Sequence, residues 1–334
     1  MKSASKLKAV GLLSGGLDSA IAARLILDQG VEVCALNMAM PWGCGRQSSV
    51  ARLAEKMGMS LKIVLLGDDY LSILKEPKYG FGSAHNPCID CHIYMVKKAA
   101  EVMRDMGAAF VFTGEVLGQR PMSQRRQCLD WVEQDGGLPG RLLRPLSAKL
   151  LPPTIVEQEG LVDREKLLDI SGRSRSRQLQ LAKEWGVEEF SAPGGGCLLT
   201  EKYFGARIKD VLSQGCPDMA STAVLGLGRY FRLDAHTYII VGRDAVENEK
   251  LIQFAMPADV ILRPEVFPGP VALLRSGAVT EDKIIFAAGL SQFHSKSRGQ
   301  SPLPLACWRV DAPDQRRDVL ADVVDEACVK RMML

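Results

Sequence analysis

The 334-residue sequence lacks the features that would place a protein in a membrane or direct it to secretion. It has no run of about 18 uninterrupted apolar residues, so no membrane span is indicated. Its start, MKSASKLKAVGLLSGG, shows no hydrophobic segment followed by a small-residue cleavage site, and no secretion signal is expected there. Internal repeats and low-complexity segments are also missing. These absences favour a cytoplasmic protein.

A strong excess of one charge is also absent. Lysine and arginine number 42 against 39 aspartates and glutamates, for a net charge of +3. The total charge therefore neither indicates nor excludes a nucleic-acid partner. Nine cysteines, an odd number, are expected to be reduced thiols in a cytoplasmic chain. Their roles would then be those of ligands or nucleophiles rather than of disulfides.

The first half of the chain alternates apolar strands with amphipathic helices that end at glycine. LKAVGLL, VEVCALNM, LKIVLLG and AAFVFTG are typical of strands, and the segments between them of helices. This alternation predicts an α/β fold with a doubly wound, mostly parallel sheet. A connector with short helices follows. The remaining pattern predicts an α+β domain, which contains a helix, a hairpin, further strands and a closing helix, VLADVVDEACVKRMM. The glycine-rich SAPGGG favours a boundary that separates domains 1–193 and 194–334.

The hexapeptide SGGLDS joins the first predicted strand to the first predicted helix. A helix that begins there directs its unpaired N–H groups at the loop, and Gly15 and Gly16 let a ligand approach the backbone closely. This arrangement favours a phosphate or pyrophosphate site, to which Ser14 and Ser19 add hydroxyl groups. Asp18 would repel a bare phosphate and is expected to bind Mg²⁺ instead. An ordinary strand–turn–helix connection is the alternative, and a Walker-type loop is excluded because no Gly-Lys-Ser/Thr follows.

Three residues elsewhere are candidates for the same site because of their positions at strand ends. Ligands of doubly wound sheets bind at the carboxyl ends of the strands. Asn37 lies near the end of the second strand, while Gly114 and Arg120 follow AAFVFTG. We therefore expect Asn37, Gly114 and Arg120 to contribute to nucleotide binding beside the hexapeptide.

Three cysteines have positions that suggest chemistry. Cys88 and Cys91, in NPCIDCH, lie at the start of a predicted helix, whose N-terminus is expected to lower thiol pKa values. Cys197 follows three glycines on an accessible loop. The CxxC pair alone is compatible with iron–sulfur ligands, a redox pair, or half of a zinc site completed by His85 and His92. Further cysteines are weaker candidates (Cys44) or are expected to lie in the core (Cys34, Cys307).

The SGGxDS motif, the N-P-C-x-x-C segment and the later lone cysteine together resemble the PP-loop ATP pyrophosphatases. Within that group they are similar to the tRNA thiouridine synthases of the ThiI, MnmA and TtcA kind, over roughly residues 7 to 200. TGEVLGQRPMSQ and RPLSAKLLPPT add to this likeness. The resemblance implies an adenine-nucleotide hydrolase-like fold that binds ATP and Mg²⁺, adenylates a uridine carbonyl oxygen of tRNA and replaces that oxygen with sulfur. It slightly favours 4-thiouridine over 2-thiouridine as the product.

The same resemblance implies roles for individual residues. Cys88, Cys91 and Cys197 would bind a [4Fe-4S] cluster and, with Asp18, form the catalytic set. In the alternative mechanism a persulfide on Cys197 attacks the adenylated base, and Cys91 or Cys88 resolves it as a disulfide. The sulfur donor would be sulfide or a persulfide carrier.

The C-terminal part shows a shorter resemblance, and local charge adds to the case for RNA. LGRYFRL and IIVGRDAVENEKL are similar to the NFACT-R domain, a module associated with RNA. Arginines and a lysine cluster between Gly118 and Leu150 and again in SGRSRSRQ, where they could contact phosphates. A solvated basic surface is the alternative. The expected partner is tRNA, and a homodimer is left open.

Three other functions are compatible with the sequence. An amidotransferase-type PP-loop ligase would adenylate a carboxylate or a purine, but would have no use for the three cysteines. A non-catalytic RNA-binding protein would hold a metal and ATP as ligands only. A redox enzyme built on Cys88 and Cys91 would act without ATP.

Overall fold

The computed structural model describes residues 6–42, 46–187, 190, 197–215, 217–300 and 302–334. The chain divides into two compact units, Met1–Cys197 and Leu198–Leu334. The predicted boundary after residue 193, the segment SAPGGG and Cys44 lie outside the described residues. Among the described helices, none combines the length and the apolar character that a membrane crossing requires.

A parallel sheet in the order β3-β2-β1-β4-β5 organises the N-terminal unit. Its strands are β1 (Lys8–Leu12), β2 (Glu32–Ala39), β3 (Ser60–Leu65), β4 (Phe110–Thr113) and β5 (Leu142–Leu143). The helices are α1 (Leu17–Leu27), α2 (Arg46–Lys56), α3 (Asp69–Lys75), α4 (Cys88–Met106), α5 (Arg126–Asp135), α6 (Ile155–Gln158) and α7 (Ser176–Glu184).

Apolar side chains cover both faces of this sheet, as the doubly wound prediction requires. Helices α1, α2 and α7 contribute to one core cluster, and α4 and α5 contribute to the other. The central strands β1 and β4 are buried because helices pack on both of their faces. The predicted α/β fold class is therefore confirmed.

Three elements of this unit were not predicted. Strand β5 has only two residues, too few to show an alternating pattern. Helices α3 and α5 are short, and each buries only three residues, so their helical periodicity is weak in the sequence. They lie in segments that the sequence left unassigned or treated as a connector.

An antiparallel sheet in the order β11-β10-β8-β9-β7-β6 forms the C-terminal unit. Its strands are β6 (Arg229–Asp234), β7 (Thr237–Val241), β8 (Val260–Pro264), β9 (Ala272–Ser276), β10 (Leu303–Arg309) and β11 (Ala312–Ala321). The helices are α8 (Lys202–Ser213), α9 (Ala245–Gln253), α10 (Glu281–Phe293) and α11 (Glu326–Met332).

The predicted closing helix is wrong over most of its length. VLADVV lies at the end of β11 and just after it, and only α11 is helical. Val319 and Ala321 are buried while Leu320 between them is 62% exposed, which is the period of two expected for an edge strand. With so few buried positions, the pattern was mistaken for a helical one. The predicted core positions of Cys34 and Cys307 are confirmed, since both are buried in strands.

Candidate functional site

The hexapeptide lies at the point where the sheet order reverses. From β1 the chain passes to β2 and β3 on one side, and it returns to the other side of β1 as β4. A crevice forms at the carboxyl ends of such neighbouring strands, and ligands of open α/β sheets bind there. The N-terminus of α1 opens into this region, with Gly16 as its N-cap and no side-chain capping bond. Gly15 has φ +74°, a conformation that favours glycine.

The two serines of the hexapeptide brace its turn. Ser14 Oγ accepts a hydrogen bond from Gly16 N at 3.3 Å, and Ser19 Oγ donates to Gly16 O at 2.8 Å. The two hydroxyl oxygens lie 3.5 Å apart. Both hydroxyls therefore lie at the start of α1, where the helix dipole favours an anion.

Asp18 has one engaged and one unengaged carboxylate oxygen. Gln119 Nε2 donates to Asp18 Oδ2 at 3.0 Å. Asp18 Oδ1 is buried and has no hydrogen-bond partner among the described residues. A buried carboxylate oxygen without a partner is uncommon in a native protein, and a bound cation is one explanation of it. The sequence did not single out Gln119, although it precedes Arg120 in the quoted TGEVLGQRPMSQ.

The structure gives the other three nucleotide-site candidates different positions. Gly114 packs directly on the start of α1, where an added Cβ would lie 2.5 Å from Ser19 N. Asn37 is buried and donates from Nδ2 to Leu13 O at 2.8 Å, so it ties the end of β2 to the loop after β1. Arg120 is exposed. Gly114 and Asn37 thus shape the loop, whereas the side chain of Arg120 is solvent-accessible.

Two of the three candidate cysteines lie at the first turn of α4. Cys88 begins the helix, and its sulfur accepts a hydrogen bond from Asn86 Nδ2 at 3.1 Å. Cys91 lies one turn further, while Cys197 is the last residue of the N-terminal unit and is exposed. Within the described part of the chain, no three His, Cys, Asp or Glu side chains are grouped closely enough to hold a metal ion.

A buried tyrosine, which the sequence did not indicate, interacts electrostatically with all three thiols. Tyr70 of α3 is fully buried. Burial raises the pKa of its hydroxyl well above the ordinary value, and nearby sulfurs raise that pKa further. The sulfurs that do so belong to Cys91, Cys197 and Cys88. The three cysteines are thus close enough to interact electrostatically.

The expectation that the helix N-terminus lowers the thiol pKa is wrong for Cys91. Burial raises the pKa of Cys91 to about 12, a change that the Tyr70 hydroxyl only partly offsets. Loss of hydration disfavours the thiolate more strongly than the dipole of α4 favours it. In the structure as it stands, Cys91 is therefore protonated at neutral pH.

The histidines that could complete a zinc site have other partners. His85 Nε2 lies 2.7 Å from Leu74 O, and its ring stacks on Phe81. His92 Nδ1 lies 2.8 Å from Glu115 Oε1. Since no three His, Cys, Asp or Glu side chains are grouped for metal binding in the described residues, the zinc alternative finds no such set of ligands there.

Glu115, directly after β4, belongs to a buried ionic network. Arg144 Nε donates to Glu115 Oε2 at 3.1 Å, and Arg144 NH1 donates to Glu133 Oε2 at 3.1 Å. Burial alone would raise the pKa of Glu115, but the charge of Arg144 and the hydrogen bond with His92 outweigh it and lower this pKa to about 2. Glu115 is therefore an anion that joins β4 to α4 and to the segment after β5.

Most of the basic residues between Gly118 and Leu150 form ion pairs with carboxylates of the same chain. Arg126, Arg141, Arg144 and Lys149 each form an ion pair with a nearby carboxylate. The proposed phosphate-binding surface is accordingly smaller than the residue count implied. Four arginines of this region and of SGRSRSRQ are exposed and have no ion pair within the described residues. They are Arg120, Arg125, Arg173 and Arg177.

Comparison with known families agrees with this architecture. Residues 4–147 match the family model described as thiamine biosynthesis protein (ThiI), and residues 228–329 match the model described as NFACT protein RNA binding domain. The N-terminal part of the chain is thus similar to the first family model, and the C-terminal part is similar to the second. The predicted family resemblances of both parts are thereby confirmed.

Curated proteins that are similar to part of this chain are named for tRNA modification. A probable tRNA sulfurtransferase of Thermococcus kodakarensis is 29% identical over 183 residues, which cover 53% of this chain and 43% of the relative. A tRNA-specific 2-thiouridylase MnmA of Pelotomaculum thermopropionicum is 32% identical over 133 residues, 33% of this chain and 35% of the relative. The chain therefore spans less than half the length of these two relatives.

A solved 4-thiouridine synthetase–RNA complex with bound ATP is also similar to this chain. The identity is 24% with a TM-score of 0.42, and the match covers 58% of this chain and 45% of the other.

Proposed function

We propose that the protein catalyses the ATP-dependent thiolation of a uridine in tRNA. The observation that carries this proposal is the SGGLDS turn at the reversal point of the sheet, in the same unit as Cys88, Cys91 and Cys197. The curated relatives are named for tRNA thiolation, which supports the same reaction class.

The hexapeptide supplies what adenylation requires. A uracil carbonyl is a poor electrophile, because oxide and hydroxide are poor leaving groups at neutral pH. Transfer of AMP from ATP to that oxygen makes it a leaving group, with release of pyrophosphate. The N-terminus of α1 and the hydroxyls of Ser14 and Ser19 would bind the phosphates and stabilise the departing pyrophosphate.

The residues present fit a magnesium ion beside these phosphates. Asp18 Oδ1 is a buried carboxylate oxygen without a partner in the described residues, and Mg²⁺ binds through one or two carboxylates together with substrate phosphates. Asp18 would hold the ion at the start of α1. Once bound, the ion would neutralise charge on the phosphates.

The cysteines would deliver the sulfur. Cys88, Cys91 and Cys197 are proposed as ligands of a [4Fe-4S] cluster, supported by the electrostatic proximity of their sulfurs. In the described residues they are not drawn together at ligand distances, so a persulfide on Cys197 remains the alternative carrier. In that route the outer sulfur of a persulfide on the exposed Cys197 attacks the adenylated carbon and displaces AMP. Cys88 or Cys91 then attacks the Cys197 sulfur, which forms a disulfide and releases the thiolated base. Sulfide would supply the sulfur in the cluster route, and a persulfide-carrying protein would supply it in the persulfide route.

The product we favour is 4-thiouridine, in keeping with the ThiI match over residues 4–147. Residues 228–329 would bind the tRNA, since the family model that they match is described as RNA-binding. The same reaction on position 2 of the base would use the same adenylation step.

Mass spectrometry of tRNA nucleosides from cells with and without the protein tests this function. We expect one thiolated uridine to disappear in the deletion strain, and its mass and retention time would assign position 2 or 4. Unchanged thionucleosides would contradict the proposal.

The variant Cys197→Ala tests the sulfur-transfer role in the same assay. We expect it to reproduce the deletion, because both proposed routes require this thiol. Cys328→Ala is the matched control, since Cys328 is a partly exposed cysteine of α11 in the other unit. Equal thiolation by the two variants would remove Cys197 from the mechanism.

A further inference from the structure

Gln119 has the features of a second protein group at the Asp18 cation site. Its side chain is the one hydrogen-bond donor to Asp18 that the described residues provide, from Nε2 to Oδ2 at 3.0 Å. Gln119 Oε1 is buried and, like Asp18 Oδ1, has no partner in the described part of the chain. One hydrogen-bonded pair of side chains therefore leaves two buried oxygen atoms unsatisfied.

The orientation of this amide follows from chemistry. An ionised carboxylate only accepts hydrogen bonds, so the amide must present its nitrogen to Asp18 and keep its oxygen for another partner. Buried polar atoms nearly always have partners in native proteins. Two neighbouring oxygens, one anionic and one neutral, suit a hard divalent cation and do not suit a phosphate.

The backbone around Gln119 is held on both sides. Leu117 N donates to Ser147 Oγ at 2.9 Å, and Gly118 N donates to Gln124 O at 2.7 Å. Leu117 also forms a parallel bridge with Ser171. The amide is thus presented to Asp18 by a fixed loop, as precise metal coordination requires.

We propose that Gln119 is a ligand of the magnesium site: it donates to Asp18 Oδ2 through Nε2 and contributes Oε1 to the ion beside Asp18 Oδ1. This inference rests on the proposed function, because it concerns the ion that would accompany ATP. It adds a ligand that the hexapeptide does not contain.

Binding of Mn²⁺ together with a non-hydrolysable ATP analogue, followed by electron paramagnetic resonance, tests the proposal without measuring catalysis. We expect Gln119→Ala to weaken Mn²⁺ binding roughly 10- to 100-fold, the range seen when groups that support a metal site are removed. Gln119→Glu should keep or improve the affinity, because it retains an oxygen ligand and adds negative charge. If Gln119 acted only as a hydrogen-bond donor, the glutamate would instead repel Asp18 and weaken binding as the alanine does.

Gln124→Ala is the matched control. Gln124 lies in the same loop, is buried and also has an unpartnered Oε1 within the described residues, yet it makes no hydrogen bond to Asp18. We expect its Mn²⁺ affinity to stay within about twofold of the wild type. Thermal melting identifies any variant that fails to fold. If Gln119→Ala fails to fold, Gln119→Glu provides the test, because it keeps the size of the side chain.

The outcomes separate this proposal from the function itself. A wild-type protein that binds neither Mn²⁺ nor the ATP analogue would overturn both. Normal wild-type binding with an unaffected Gln119→Ala variant would overturn only the ligand role. The ligand role would also be overturned if Gln119→Ala and Gln119→Glu weakened Mn²⁺ binding equally. The same conclusion would follow if Gln124→Ala weakened Mn²⁺ binding as much as Gln119→Ala does.

Discussion

At the scale of the residue, the start of α1 depends on one close contact. An added Cβ at Gly114 would lie 2.5 Å from Ser19 N, 2.6 Å from Asp18 C and 2.7 Å from Ser19 Cα. All three are backbone atoms, so they cannot move without shifting the helix. Gly114 was selected from the sequence for its place after a strand, and the structure adds that it lets β4 approach the hexapeptide.

Replacing Gly114 with alanine should therefore damage stability and nucleotide binding together. We expect a loss of about 1–3 kcal/mol in the free energy of unfolding, as for other overpacked sites, and weaker ATP binding. Urea denaturation and calorimetric titration with ATP measure the two effects.

Gly30→Ala provides the comparison for this prediction. Gly30 has φ +79° and open space around its Cβ position, so alanine there adds backbone strain of about 1 kcal/mol without a collision. It lies after the other end of α1, and ATP affinity should not change. If the two variants bind ATP equally well, the contact at Gly114 is not needed for the site.

At the scale of the element, a buried charge network holds the strand ends together. Glu115 follows β4, Arg144 follows β5, His92 belongs to α4, and Glu133 belongs to α5. The pKa of Glu115 is lowered from 4.5 to about 2. Because its folded-state pKa is depressed, the ionised group stabilises the fold above about pH 4.5, and this contribution is lost as the pH falls towards 2.

The variant Glu115→Gln should remove that contribution. We expect a loss of about 3–5 kcal/mol at pH 7, the range typical of removing one partner of a buried ion pair, because the buried Arg144 would keep its charge without this carboxylate. The difference from the wild type should shrink as the pH is lowered from 4.5 to 3, and urea midpoints across this range measure it. Glu101→Gln, at an exposed position of α4, is the control. A gap that stays constant with pH would show that the carboxylate charge is not responsible.

The elements also show what the sequence could and could not predict. Strands β1, β2, β3 and β4 were predicted because each lies in a local apolar segment. The hexapeptide was recognised because its residues are adjacent in the chain. Gln119 and Tyr70 were missed, since their roles arise from contacts with residues that are distant in sequence. Local patterns do not encode such contacts. The last three residues of β11 were mistaken for the start of a helix, because a short stretch with two buried positions does not distinguish a strand from a helix.

At the scale of the whole molecule, ion pairing decides how much positive charge would be available to the proposed RNA partner. The N-terminal unit uses Arg126, Arg141, Arg144 and Lys149 internally. Arg173 and Arg177, which flank the start of α7, are exposed and have no ion pair in the described residues. They are the better candidates for phosphate contacts.

A double variant, Arg173→Glu with Arg177→Glu, should therefore weaken tRNA binding and reduce its salt dependence. Each lost phosphate contact lowers the slope of log affinity against log salt by about 1, so a change of roughly 1–2 is expected. Filter binding at salt concentrations from about 50 to about 200 mM measures this slope. Lys149→Glu, at a residue already paired with Glu165, should change the slope less. An unaltered slope in the double variant would place the RNA elsewhere.

Strand β11 has a consequence for how the molecule behaves in concentrated solution. It is a ten-residue strand at one edge of the antiparallel sheet, and it carries charged residues of both signs, among them Asp314, Arg316, Arg317 and Asp318. A flat apolar edge of this length would let a strand from another polypeptide anneal to it and begin a fibril. Here each added strand would have to strip water from several charges, so β11 resists amyloid-like growth.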